Sequence, residues 1–142
     1  MTVVVDASVA AKWVLPPADE ELVPQALGLL AQYEHGLIQF VVPDLFWAEL
    51  GNILWKAVRH GRFSAFEAAE AADAMSKRAF PTLLSREVLS RALQLAISTG
   101  RTCYDCVYIA LALHIGSEFV TADQRLANAV AASLPVKWLG VM

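Results

Sequence analysis

Short β-branched runs alternate along this chain with longer stretches rich in Ala and Leu, and each change of period marks an element. Thr2 to Val5 is an unbroken apolar run, the pattern of a strand covered on both faces. Ser8 to Val14 has helical spacing and stops at Pro16-Pro17, since proline lacks a backbone donor and clashes with a continuing helix. Asp19 to Tyr33 is predicted helical, with Gly36 just past it where a left-handed residue ends a helix. Leu37 to Val42 is the second strand. Asp44 is the expected N-cap of a helix reaching about Arg59, before Gly61. Ser64-Ala65-Phe66-Glu67 has capping-box spacing at the head of a helix to about Arg78. Phe80 to Leu84 is a short third strand, placed near an edge by Pro81. Arg86 to Thr99 is an amphipathic helix ending at Gly100, and Thr102 caps an apolar helix to His114, closed by Gly116. Ser117 to Thr121 is the fourth strand, Asp123 to Ala132 the last helix, and Val136 to Leu139 an edge strand. Strands alternating with helices in this way predict the α/β class with a parallel sheet.

Composition narrows the class. With 142 residues the chain makes one domain, 1–142, and 57% hydrophobic against 18% charged residues excludes a disordered tail. No run approaches the roughly 20 apolar residues that cross a bilayer, so no membrane partner is expected. Met1 to Leu15 is interrupted by Asp6 and Lys12 and has no basic leader, so it reads as strand and helix rather than signal peptide, and a cytoplasmic location is the expectation. Cys103 and Cys106 are spaced as C-x-x-C, but His35, His60 and His114 are scattered and supply no second pair for zinc. Both cysteines read as small fillers early in a buried helix.

The acids carry the chemistry. In a parallel sheet the strand C-termini and the starts of the following helices share one edge, where ligands bind. Asp6 follows the first strand and Asp123 the fourth. Asp105 lies in the first turn of a helix that precedes a parallel strand, and Glu49 lies about 7 Å into the helix after the second strand. Each has an ordinary alternative: Asp6 and Asp123 as helix caps, and Asp105 closing a capping box with Thr102. Glu49 sits in Phe46-Trp47-Ala48-Glu49-Leu50, where an unpaired carboxylate is costly. Capping gives no reason for four acids on one edge without a cation. Such a cluster suits a hard divalent ion, Mg2+ or Mn2+, and a metal-activated water that hydrolyses a phosphodiester. No Ser-His or Cys-His signature and no glycine-rich phosphate loop is present. The net charge of −3 disfavours a nucleic-acid partner only weakly, because four of the 14 acidic residues belong to this cluster, against 11 Lys and Arg.

Val3-Val4-Val5-Asp6-Ala7-Ser8, Pro43-Asp44 through Glu49, Tyr104-Asp105 and Val120-Thr121-Ala122-Asp123-Gln124-Arg125-Leu126 together resemble a PIN domain, and more narrowly the VapC-type toxins of toxin–antitoxin pairs. The resemblance spans essentially the whole chain. It implies a three-layer α/β/α sandwich whose acidic pocket binds Mg2+ or Mn2+ and cuts RNA. Asp6, Glu49 and Asp105 would be the first-choice acids and Asp123 would complete the pocket, with Ser8 and Thr121 as supporting hydroxyls. It also implies a homodimer or higher homo-oligomer, held inactive by a cognate antitoxin whose tail enters the pocket.

Two other readings stay open. A phosphohydrolase of the haloacid-dehalogenase type also places an Asp after its first strand, but wants a second Asp where this chain has Ser8. A non-catalytic PIN-like module would use the acids to dock a basic peptide. Lys12 would either meet a phosphate or lie in solvent. Trp13, Trp47 and Trp55 read as packing residues rather than base-stacking platforms. Lys56, Arg59, His60 and Arg62 read as a solvated helix end and are also the best candidate for a backbone-binding patch.

Overall fold

The computed structural model describes residues 1–142. Five strands, β1 (Thr2–Val5), β2 (Gln39–Pro43), β3 (Thr82–Leu83), β4 (Glu118–Thr121) and β5 (Val136–Trp138), form one sheet in the order β3-β2-β1-β4-β5. Every pairing is parallel, with Val4 opposite Val41 on one side and Phe119 on the other. The central position of β1 explains its apolar run. Val3, Val4 and Val5 are buried because helices cover both faces.

Seven α-helices connect and cover the strands: α1 (Ala7–Val14), α2 (Val23–Glu34), α3 (Leu45–Arg59), α4 (Ala65–Ser76), α5 (Leu89–Thr99), α6 (Cys103–Ile115) and α7 (Gln124–Val130). The chain winds from β1 to β2 to β3 in one direction and returns through β4 to β5 in the other. Right-handed crossovers therefore put α1 to α4 on one face and α5 and α6 on the other. Aromatic packing locks the first layer. Trp13 stacks on Phe40 with centroids 5.4 Å apart, Tyr33 stacks on Phe40 at 4.9 Å, and Trp13 Nε1 donates to the Ala26 carbonyl at 2.8 Å. No helix is long and apolar enough to cross a membrane.

Three local expectations change. The helix expected from Asp19 begins only at Val23. Pro17–Asp19 forms a 3-10 turn and Glu20 is extended, with Pro24 fixing the first turn of α2. The helix expected from Arg86 begins at Leu89, after a 3-10 turn over Ser85–Glu87. Asp44 precedes α3 but makes no capping bond, because its own backbone is already helical; its Oδ1 instead accepts from the Ser85 backbone N–H and hydroxyl, tying α3 to the turn after β3. The Ser64–Glu67 capping box forms as the spacing predicts. Gly100 and Gly116 end α5 and α6 at φ of 74° and 69°, conformations that cost little only without a Cβ.

Candidate active site

The strand order reverses between β1 and β4, and the acids gather at the carboxyl edge beside that point. Asp6 leaves β1 with its N–H bonded to the Val120 carbonyl at 3.0 Å, so it sits level with the end of β4. Asp123 follows β4 at the head of α7. Glu49 comes from the second turn of α3 and Asp105 from the first turn of α6. All four line one cleft of about 360 Å³, together with Ala7, Ser8, Ala48, Asn52 and Ile53. A larger depression of about 670 Å³ at the opposite edge has Glu118 as its only ionisable side chain.

Hydrogen bonds fix the acids individually. Asp6 Oδ2 accepts from the Ser8 hydroxyl at 2.9 Å and from the Thr121 hydroxyl at 2.7 Å. Thr121 is fully buried, and its oxygen also accepts from the Asp123 N–H at 3.0 Å; Ser8 Oγ likewise accepts from the Ala122 N–H at 3.1 Å. The two hydroxyls thus relay between the end of β1 and the turn after β4. Glu49 Oε1 accepts from the Tyr108 hydroxyl at 2.6 Å. The capping readings hold in part: Thr102 Oγ1 accepts from the Asp105 N–H at 3.1 Å, and Asp123 Oδ1 caps α7 by accepting from Leu126 N–H at 3.1 Å. Neither role occupies the Asp105 carboxylate or Asp123 Oδ2.

Electrostatics record the crowding. Burial pushes the Asp6 carboxyl above the ordinary range, against the hydrogen bonds from Thr121 and Ser8, and the charge of Asp105 adds to the rise. Burial also raises Glu49; the Tyr108 bond opposes that, while Asp6 and Asp105 reinforce it. Asp105 is raised by burial and by Asp123, with Thr102 and Arg101 acting the other way. Asp6, Glu49 and Asp105 each feel another acid of the cleft, so a cation there would lower a repulsion already present.

The donor set, carboxylate oxygens lining an open cleft, fits a hard cation. No three of these carboxylates form a closed cage around a single point. The four acids expected to hold a metal thus share a cleft without forming a cage. Mg2+ does not require a cage, since it holds one or two carboxylates directly and keeps several waters. The remaining acids would then hold such an ion through those waters.

Sequence reasoning missed Tyr108 and Asn52. Both signals were available in retrospect, because Tyr108 is three residues from Asp105 and Asn52 three from Glu49, on the same helix faces. Lys12 is not a solvated lysine: it is 11% exposed and pairs with Glu20 Oε1 at 3.1 Å. Trp13 and Trp47 pack against the Phe40–Phe80 cluster, whereas Trp55 is 53% exposed beneath Arg59. Cys106 is buried and Cys103 partly so, both as free thiols.

The PIN domain family model matches residues 3–131, from β1 through α7 and including every acid of the cleft. The chain belongs to the PIN domain family. Within that family it is 35% identical over 130 residues to ribonuclease VapC3 of Pyrobaculum aerophilum, a match covering 90% of this chain and 94% of the relative. The VapC kinship expected from the motifs is therefore shown. Among solved structures, this PIN domain superposes on PAE2754 from Pyrobaculum aerophilum with a TM-score of 0.70 at 24% identity, covering 99% of this chain and 85% of that one. It also matches a chain of the toxin–antitoxin complex from Klebsiella pneumoniae with a TM-score of 0.62 at 15% identity, covering 96% of both. At these identities the superpositions establish the three-layer parallel fold.

Proposed function

We propose that this PIN domain is a divalent-metal-dependent endoribonuclease acting as the toxin of a toxin–antitoxin pair. The observation that carries the reading is the convergence of Asp6, Glu49, Asp105 and Asp123, from four separate segments, on one cleft lined by no cation. Mg2+ or Mn2+ bound there would supply an activated water and neutralise charge developing on the phosphate. The chain's own residues prepare the place. Ser8 and Thr121 hold Asp6 by its Oδ2, Tyr108 holds Glu49 by its Oε1, and the start of α6 presents Asp105. Ribonuclease VapC3, at 35% identity, supports RNA as the substrate, and the Klebsiella complex supports an antitoxin partner. A homo-oligomer agrees with the row Leu89, Leu93 and Ile97 on α5, which lies 54%, 51% and 76% exposed at four-residue spacing.

The test is Asp6→Asn, which keeps the shape and removes the charge. The variant should fold, lose RNA cleavage in Mg2+ or Mn2+, and lose the thermal stabilisation that millimolar metal gives the parent. Cleavage at the parental rate would end the assignment. Metal stabilisation without cleavage in the parent would point instead to a non-catalytic docking module.

A further inference from the structure

A second cleft, of about 320 Å³, adjoins the acid cleft and shares Ser8, Ile53 and Asp123 with it. Its wall holds Lys12, Glu20 and Arg62, from the last turn of α1, the extended residue after the 3-10 turn, and the loop beyond α3. Glu20 Oε1 accepts from Lys12 at 3.1 Å and Glu20 Oε2 from Arg62 Nη2 at 2.6 Å. Glu20 is 13% exposed; burial alone would raise its pKa, but the bonds from Arg62 and Lys12 win and hold it below the ordinary range. We propose that this cleft seats the RNA phosphate next to the one being cut, with Lys12 and Arg62 as its donors. The proposal rests on the nuclease reading above.

Three observations support it. Lys12 and Arg62 are the only cations lining either of the two joined clefts, and four carboxylates line the other. A polyanion entering these clefts needs a compensating charge, and within their linings it is found only here. Donors also remain unspent. A lysine has three and an arginine five, whereas the bonds to Glu20 use one of each. Arg62 Nε has no hydrogen-bond partner, the exposed Asp19 carboxylate lying 3.6 Å away. Finally, a half-buried group of three charges is a poor device for stability alone, because desolvation offsets most of the attraction. Glu20 is the resident anion between the two cations, a partner with which phosphate oxygens would compete.

The experiment measures binding of a short single-stranded RNA in Ca2+ by fluorescence anisotropy across salt concentrations, and cleavage of the same RNA in Mg2+. Lys12→Gln and Arg62→Gln should each weaken binding by about tenfold and reduce the salt slope by roughly 0.7, the value of one single-strand phosphate contact. The loss should fall on KM rather than kcat. Lys12→Arg should retain affinity, and Glu20→Gln should bind as tightly as the parent or tighter, since it removes a competing anion and leaves both cations. A purely structural network predicts the reverse, with Glu20→Gln as damaging as Lys12→Gln and the salt slope unmoved; that result would overturn the proposal. Unchanged RNA affinity with a weakened grip on the cognate antitoxin would also overturn it, in favour of a protein-binding cleft. If Lys12→Gln fails to fold by circular dichroism, Arg62→Gln, beyond the end of α3, decides the matter. A parent that cuts RNA while both glutamine variants keep its KM sinks this proposal alone. A parent that neither binds nor cuts RNA sinks the nuclease reading and this one together.

Discussion

Tyr108→Phe removes one oxygen from the site and leaves everything else in place. The ring is 1% exposed and stacks on Phe119 with centroids 5.0 Å apart, so phenylalanine keeps the packing. What goes is the hydroxyl bond to Glu49 Oε1 at 2.6 Å. A hydrogen bond to a charged acceptor is worth about 1.5–3 kcal/mol, and water reaching the partly exposed Glu49 recovers some of it, leaving about 1–2 kcal/mol. For a chain of this size that lowers Tm by roughly 3–8 °C. Glu49 also loses the contact that fixes its orientation, and each 1.36 kcal/mol lost in the transition state is about tenfold in rate, so kcat/KM should fall by about tenfold. The pH profile separates positioning from packing. Burial pushes Glu49 up and the Tyr108 bond pulls it down, so removing the bond raises its pKa further. The acid must be charged to serve a cation, and the acidic limb of kcat/KM should therefore move to higher pH. A variant with a lower Tm but an unmoved limb and kcat/KM within about twofold of the parent would show that Tyr108 only packs.

Thr121→Val keeps the volume of a fully buried side chain but takes one of two hydroxyl donors from Asp6 Oδ2 and leaves the Asp123 N–H without its acceptor; a cost of about 1–3 kcal/mol should appear in urea unfolding, together with a large loss of cleavage. Without metal, pH should act unusually on stability. Asp6, Glu49 and Asp105 have folded-state pKa values raised above their ordinary ones, so the stability they contribute is present at low pH and is lost as pH rises through the raised values. Tm in a chelator should thus increase as pH drops from neutrality toward the ordinary carboxylate range. Below that range Glu20, whose pKa is depressed, takes stability away again. The first rise should shrink in Asp6→Asn; an equal rise in that variant would remove Asp6 from the account.

The positions of the acids were legible in the sequence because they depend on local pattern and one topological rule. An apolar run followed by Asp6, another followed by Asp123, and a capped helix start at Thr102 each fix a place along their own element. Parallel pairing then sends all these places to one edge. The capping box at Ser64 and the left-handed glycines after α5 and α6 were readable for the same reason, since they need only neighbours in the chain. Ser8 and Thr121 were legible as hydroxyls near the acids, but their bonding to a shared oxygen of Asp6 across 115 residues was not.

Only tertiary structure decided what the remaining polar groups do. Asp44 has the sequence of an N-cap, yet its carboxylate finds Ser85, 41 residues away, once β3 pairs with β2. Tyr108 and Glu49 are 59 residues apart and meet only when α3 and α6 flank the same edge of the sheet. Lys12 and Arg62, read from the sequence as separate candidates for phosphate contact, come to share Glu20 only when folding closes a loop of 42 residues between Glu20 and Arg62. The physical reason is common to all three. Apolar period and capping are set by residues within one turn or one pleat, whereas the partner of a polar side chain is whatever group the packed layers leave within about 3 Å of it.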